Sequence, residues 1–250
     1  AQGLFGDLWR WINPWYGPWR LLVLAAGRGE TGWLAYPEAL GRWPAFVGMA
    51  CFAGFELVYP APDDPARLAA IVAVYWAGTF VLMVLFGFDR WSRDGEFLTV
   101  FMRMISRIGI LASEGRPGPK ELRLNLPGAR LAEQPSLPVA GTAFLLLALA
   151  SVSFDGLMRT FSWLGMIGIN PLEFPGRSAV MTANTLGLTA TFCVLGAGFF
   201  LAVVSGERLA GRKGSAVEAA GALVWSIMPI ALAYHFSHYL TSLAVNGQYA

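Results

Sequence analysis

The only two histidines of the chain, His235 and His238, lie inside an apolar helix-length run at 223–245, LVWSIMPIALAYHFSHYLTSLAV. Residues three apart share a face of an α-helix. Ser242 and Asn246 continue the same stripe. Two imidazoles at i and i+3, completed by carboxylates from neighbouring helices, are one way a helix bundle builds a metal site. That donor set suits Zn, Cu or Fe. The carboxylates available for it are Glu56 and Asp155, with Glu173 and Asn184 as further polar candidates. The spacing carries limited information, because the chain has no HExxH, no CxxC and no glycine-rich phosphate loop. Haem is less favoured than a bare metal ion. Two imidazoles one turn apart on one helix cannot grip opposite faces of a haem, although a single axial histidine would serve.

A plainer reading stands beside each of these. Glu56 and Asp155 fall within a turn of a span end and can reach water. Asn184 lies near the start of its span. His238 can join Tyr234 and Tyr239 in an aromatic belt at the headgroup level. The pair nevertheless calls for an explanation. An ionisable group inside a bilayer costs about 2.5–3.5 kcal/mol on insertion scales and usually faces the bundle interior.

The elements that must position these groups are membrane spans. The 250 residues are 56% hydrophobic and only 14% charged, against about 25% charged in soluble domains. Their mean hydropathy is +0.52. A span needs about 20 mostly apolar residues, and apolar runs are expected to cross at 43–59, 68–88, 137–154, 180–204 and 221–245. The pattern predicts an all-α integral membrane protein with five transmembrane helices in a single membrane domain, 1–250. Cys51 and Cys193 fall mid-span and read as small buried hydrophobes. Run 68–88 is almost free of polar groups and reads as scaffold. Gly198 and Ala202 have the spacing that lets helices approach closely, and Pro229 is expected to kink the last span.

Two amphipathic helices are expected to lie on the membrane surface. The first is in the Trp-rich segment 1–42, where Leu4, Phe5, Leu8, Ile12 and Trp19 recur at helical spacing and four Trp fall within eleven residues. Pro14 and Pro18 break it. The second is in the polar segment 89–136, where Phe97, Phe101, Met104, Ile108 and Leu111 face away from Arg103, Ser106 and Arg107. Leu122, Leu124 and Leu126 alternate with polar residues before Pro127-Gly128, which suggests a short hairpin. The interrupted stretch 157–175 is expected to stay outside the crossing set as a re-entrant or interfacial loop.

Lys and Arg set the orientation. Fifteen of the eighteen fall in the N-terminal segment, in 89–136 and in the loop after 204; only Arg67, Arg159 and Arg177 fall on the other side. The expected topology is N-terminus in and C-terminus out, in a bacterial cytoplasmic membrane. Glu56, Asp155, Glu173, Asn184 and both histidines then converge on the extracytoplasmic leaflet. No signal peptide is expected, and the chain reads equally as a processed protein or as a piece of a longer one.

Three functions fit. The first is an extracytoplasmic-side site for a metal ion or other cation, in a transporter or larger complex. The second is a metal- or haem-binding membrane enzyme or redox subunit. The third is an accessory subunit with no chemistry of its own. The expected partners are the lipid bilayer and other membrane subunits or further copies of the chain. The net charge of +2 and the confinement of basic residues to loops argue against nucleic acid.

Overall fold

The computed structural model describes residues 2–27, 30–114, 121–170, 172, 176–212 and 214–248; for residues 112–114, 121–123, 235, 238, 239, 241–243 and 246 the backbone alone is described. Glu173 lies outside the described residues, as do the side chains of His235 and His238. The architecture is an all-helical bundle with one small hairpin. Four segments are long and apolar enough to cross a membrane: Pro65–Phe86, Val139–Met158, Arg177–Leu209 and Ala216–Tyr234.

Three short helices open the chain: α1 (Gln2–Phe5), α2 (Trp9–Ile12) and α3 (Tyr16–Ala25). The expected surface-lying helix is only partly found here. Trp11 is exposed, whereas Trp15 and Trp19 are buried against Met83 and Trp91. The indole N–H of Trp15 donates to the Trp76 carbonyl at 2.9 Å. A buried indole needs such a partner, so these rings act as anchors to the bundle.

The helix α4 (Trp43–Leu57) has Pro44 in its first turn. Its 15 residues span about 22 Å at 1.5 Å each, short of a hydrocarbon core of about 30 Å. Of the five expected spans, the first is therefore a shorter apolar helix that is not among the four segments long enough to cross. Asp64 caps α5 (Pro65–Phe86), its carboxylate accepting from the amides of Ala66 and Arg67. Most of α5 is exposed in the protein, including Val72, Val74 and Val81. Such an apolar face suits lipid, in agreement with its reading as scaffold.

The next element departs from expectation. After α6 (Phe88–Asp94), α7 (Phe97–Ile105) does not lie on the surface. It is wedged into the bundle, with Phe97 against Phe52 and Tyr75 at ring-centroid distances of 5.5 and 5.4 Å. Tyr75 lies eleven residues before the end of α5, or about 16 Å along its axis. The chain therefore dips between α6 and α7 and returns. Backbone at that depth must be covered by protein, and the turn residues Gly95 and Glu96 are buried. The apolar stripe was read correctly, but its partner is protein rather than lipid.

The hairpin also differs in place. Strand β1 (Leu111–Glu114) pairs antiparallel with β2 (Glu121–Leu124), Leu111 opposite Leu124. The alternating leucines thus pair with the segment before them, and Pro127-Gly128 is not their turn. Gly128, at φ 78°, instead opens a 3-10 turn at Ala129–Leu131.

Helix α8 (Val139–Met158) is the centre of the bundle, with Phe144, Ala148, Ala150 and Phe154 fully enclosed. It packs against α4 and against α10 (Arg177–Leu209), a helix of 33 residues. Between them lies α9 (Phe161–Met166), too short to cross, as the interrupted sequence predicts. The last segment is α11 (Ala216–Leu223), a 3-10 turn at Val224–Ser226, and α12 (Ile227–Asn246). Pro229 stands in the first turn of α12, where proline is tolerated, and the irregularity lies before it in the 3-10 turn. Gly221 permits a close approach here. A Cβ on it would stand 2.1 Å from the Leu137 carbonyl oxygen, and the Leu137 amide donates to the Gly221 carbonyl at 2.9 Å. Cys51 and Cys193 are exposed rather than buried. A thiol facing hydrocarbon satisfies the same apolar preference.

Candidate functional site

The two ends of the bundle hold different chemistry. At the end where α4 finishes and α10 begins, the Arg177 guanidinium donates to the Glu56 carbonyl oxygen at 2.9 Å. Asp155 pairs with Arg159 one turn later, at 3.0 Å. Asn184 is buried and accepts from the Trp163 indole at 3.2 Å, with its amide nitrogen 3.9 Å from the Met158 sulfur. Trp163 also meets Phe154 edge-on, at 5.3 Å between centroids. Asp155 and Asn184 thus each have a partner nearby. Among the described residues no three His, Cys, Asp or Glu side chains form a group that could hold a metal ion.

The opposite end carries the larger site. Six arginines line a cavity of about 670 Å³: Arg10, Arg42, Arg93, Arg103, Arg107 and Arg130. They come from six separate segments. Arg10 is on α2, Arg42 caps α4, Arg93 is on α6 and Arg103 on α7. Arg107 and Arg130 sit in the 3-10 turns at Ser106–Ile108 and Ala129–Leu131. Among the described residues one carboxylate, Asp7, shares the lining. It accepts from the Gln2 side chain at 3.0 Å and the Arg10 amide at 3.3 Å, so it is engaged locally.

Among the described residues, no side-chain ion pair is formed by Arg10, Arg93, Arg103, Arg107 or Arg130. Arg42 reaches Asp94 through Nε at 3.5 Å, and Asp94 also meets Arg90 at 3.3 Å. The Nη1 of Arg42 is buried without a hydrogen-bond partner among the described residues. It packs where a Cβ on Gly141 would stand, at 3.3 Å. Burial, and then the charges of neighbouring arginines, hold Arg107 below the ordinary arginine range. Partial burial of the guanidinium lowers Arg103 as well, Asp7 opposing and Arg93 adding, although the residue as a whole is exposed. Like charges gathered on one cavity are unfavourable, and an anion relieves that cost.

The position of α7 matters to this arrangement. Glu96 is 2% exposed. Its carboxylate caps α7, accepting from the amides of Leu98 and Thr99 at 2.7 and 2.6 Å, and accepts from the Tyr75 hydroxyl. Trp9 and Asn13 both donate to the Thr99 hydroxyl, at 2.9 and 3.3 Å, so α7 is tied to the N-terminal segment as well. These contacts set where Arg103 and Arg107 emerge.

Sequence reasoning used the arginines only to orient the chain and did not single out Glu96. A signal for Glu96 was present, since it directly precedes an apolar-periodic run, although Glu is an uncommon cap beside Ser, Thr, Asp and Asn. Comparison of the chain with protein-family models, curated proteins and solved structures finds no match.

Proposed function

We infer that this chain is a polytopic membrane protein that binds a phosphate-bearing anion in the arginine cavity, at the end of the bundle that faces the cytoplasm. The observation that carries the reading is the convergence, among the described lining residues, of six guanidinium groups and one carboxylate on one cavity. A guanidinium offers five donors in a planar fork that matches phosphate oxygens two at a time. The cytoplasmic placement rests on the excess of Lys and Arg at this end. Beyond the cavity the centre of the bundle is apolar, with Phe144, Leu145 and Ala148 on α8 enclosed. That favours capture over conduction through this chain alone.

The test is calorimetric titration of the protein in a zwitterionic detergent with inorganic pyrophosphate. Binding should weaken as salt is raised, because the attraction is electrostatic, and should be lost in Arg103→Gln/Arg107→Gln. Absence of binding, or binding indifferent to both substitutions, would refute the reading.

A second reading concerns the opposite end. The backbone of α12 is helical through 235 and 238, which keeps His235 and His238 on one face for a transition metal such as Zn, Cu or Fe, with Glu56 or Asp155 as further ligands. Elemental analysis of wild type beside His235→Ala/His238→Ala tests it. A stoichiometric metal lost in the variant supports this reading, and an equal metal content in the two removes it.

A further inference from the structure

We propose that the occupant of the arginine cavity is a membrane lipid whose headgroup carries two phosphate groups. This rests on the reading that the cavity takes an anion and adds what that anion is attached to.

The first argument is charge. Among the described lining residues, six arginines stand against one carboxylate, Asp7, which makes that part of the lining strongly positive. A headgroup with one phosphodiester brings one negative charge and leaves most guanidiniums unmatched. A headgroup with two phosphates spreads over a larger area and engages arginines arriving from separate directions. The cavity falls within the range of about 300–1,000 Å³ typical of ligand sites, which is room for a headgroup rather than a bare ion.

The second argument is the rest of the wall. Leu8, Val100, Met104, Leu137 and Trp225 line the same cavity. A site for a free, fully hydrated polyphosphate gains little from them. An amphiphile places acyl carbons or a glycerol backbone there.

The third argument is depth. Leu137 stands two residues before α8, and Trp225 lies in the turn between α11 and α12, so the cavity sits at the edge of the membrane-crossing helices. Phe5, Leu8 and Trp11 line it and are also exposed, with Leu4 and Ile12 beside them. That exposed apolar surface lies where acyl chains are, next to the guanidiniums. Basic sites between helices at the cytoplasmic membrane boundary are suited to phosphate headgroups.

The experiment measures affinity for three probes on the whole chain. Cardiolipin, with two phosphodiesters, and phosphatidylglycerol, with one, are each presented in phosphatidylcholine nanodiscs; inorganic pyrophosphate is presented free. Cardiolipin is expected to bind about tenfold or more tighter than either other probe, or about 1.4 kcal/mol on the affinity scale. Arg103→Gln/Arg107→Gln should abolish the preference, and Leu8→Asn should weaken cardiolipin several-fold while leaving pyrophosphate unchanged. Arg212→Gln, outside the cavity, is the charge control. If the double variant does not fold by circular dichroism, the single variants carry the comparison. Arginine-dependent binding of pyrophosphate with no preference for cardiolipin overturns the lipid and leaves the anion site standing. Equal affinity for phosphatidylglycerol and cardiolipin overturns the two-phosphate headgroup. Binding of none of the three overturns both this inference and the reading beneath it.

Discussion

At one end of the bundle several ions have a neighbour. Asp155 meets Arg159, Asp64 meets Arg67 at 3.7 Å, and Arg177 is satisfied by the Glu56 carbonyl. At the other end six arginines surround a cavity, and among the described residues only Arg42 has an acidic partner. Among the described residues the first set is largely paired and the second largely is not. Abundance of charge therefore says less about function than whether charges are paired. Local i to i+4 pairs such as Asp155 and Arg159 are worth a few tenths of a kcal/mol and need no ligand.

The comparison can be broken in three places. The largest effect is expected from Glu96→Ala, which orphans the amides of Leu98 and Thr99 and removes the carboxylate acceptor of the Tyr75 hydroxyl. Loss of a cap together with that hydrogen bond should cost about 3 kcal/mol, read as a fall in the thermal midpoint in detergent. Because α7 carries Arg103, pyrophosphate affinity should fall as well. An unchanged midpoint would mean that α7 is held by packing alone. Next is Asn184→Ala at the opposite end. It leaves the Trp163 indole without its acceptor and should cost about 1–2 kcal/mol while pyrophosphate binding stays intact. A loss of binding there would show that the two ends are coupled and the contrast is false. The smallest effect has the opposite sign. Arg107→Gln should stabilise the ligand-free protein by up to about 0.5 kcal/mol, because it removes a cation from a desolvated like-charged cluster. A fall in stability would indicate that Arg107 is already paired, and the cavity would lose its need for an anion.

The membrane class was legible because a bilayer imposes a length: runs such as 68–88 and 180–204 answer to no other common architecture, and both appear as long, largely exposed helices. The central position of α8 was not legible, since its composition resembles that of α5. What separates them is how many neighbours each has, and hydropathy does not record neighbours. The dip of α7 was hidden for a related reason. Phe97, Met104 and Ile108 make the same amphipathic stripe whether the stripe meets lipid or protein. Asp155 and Asn184 both stand at one end of the bundle, and while Arg159 lies within reach of Asp155 along one helix, the Trp163 partner of Asn184 emerged only in three dimensions. The hairpin was misplaced because alternation marks a strand without naming its partner.

The sequence by itself determined that the chain is a bundle of apolar helices with its basic residues gathered toward one side. Those properties are set residue by residue, by transfer free energy and by the charge of the loops. Only the tertiary structure decided that six of those basic residues share one cavity. Arg10 and Arg130 are 120 positions apart, and no periodicity links residues brought together by packing α7 against α4 and α8. Depth followed from composition, whereas convergence followed from contacts among segments distant in the chain.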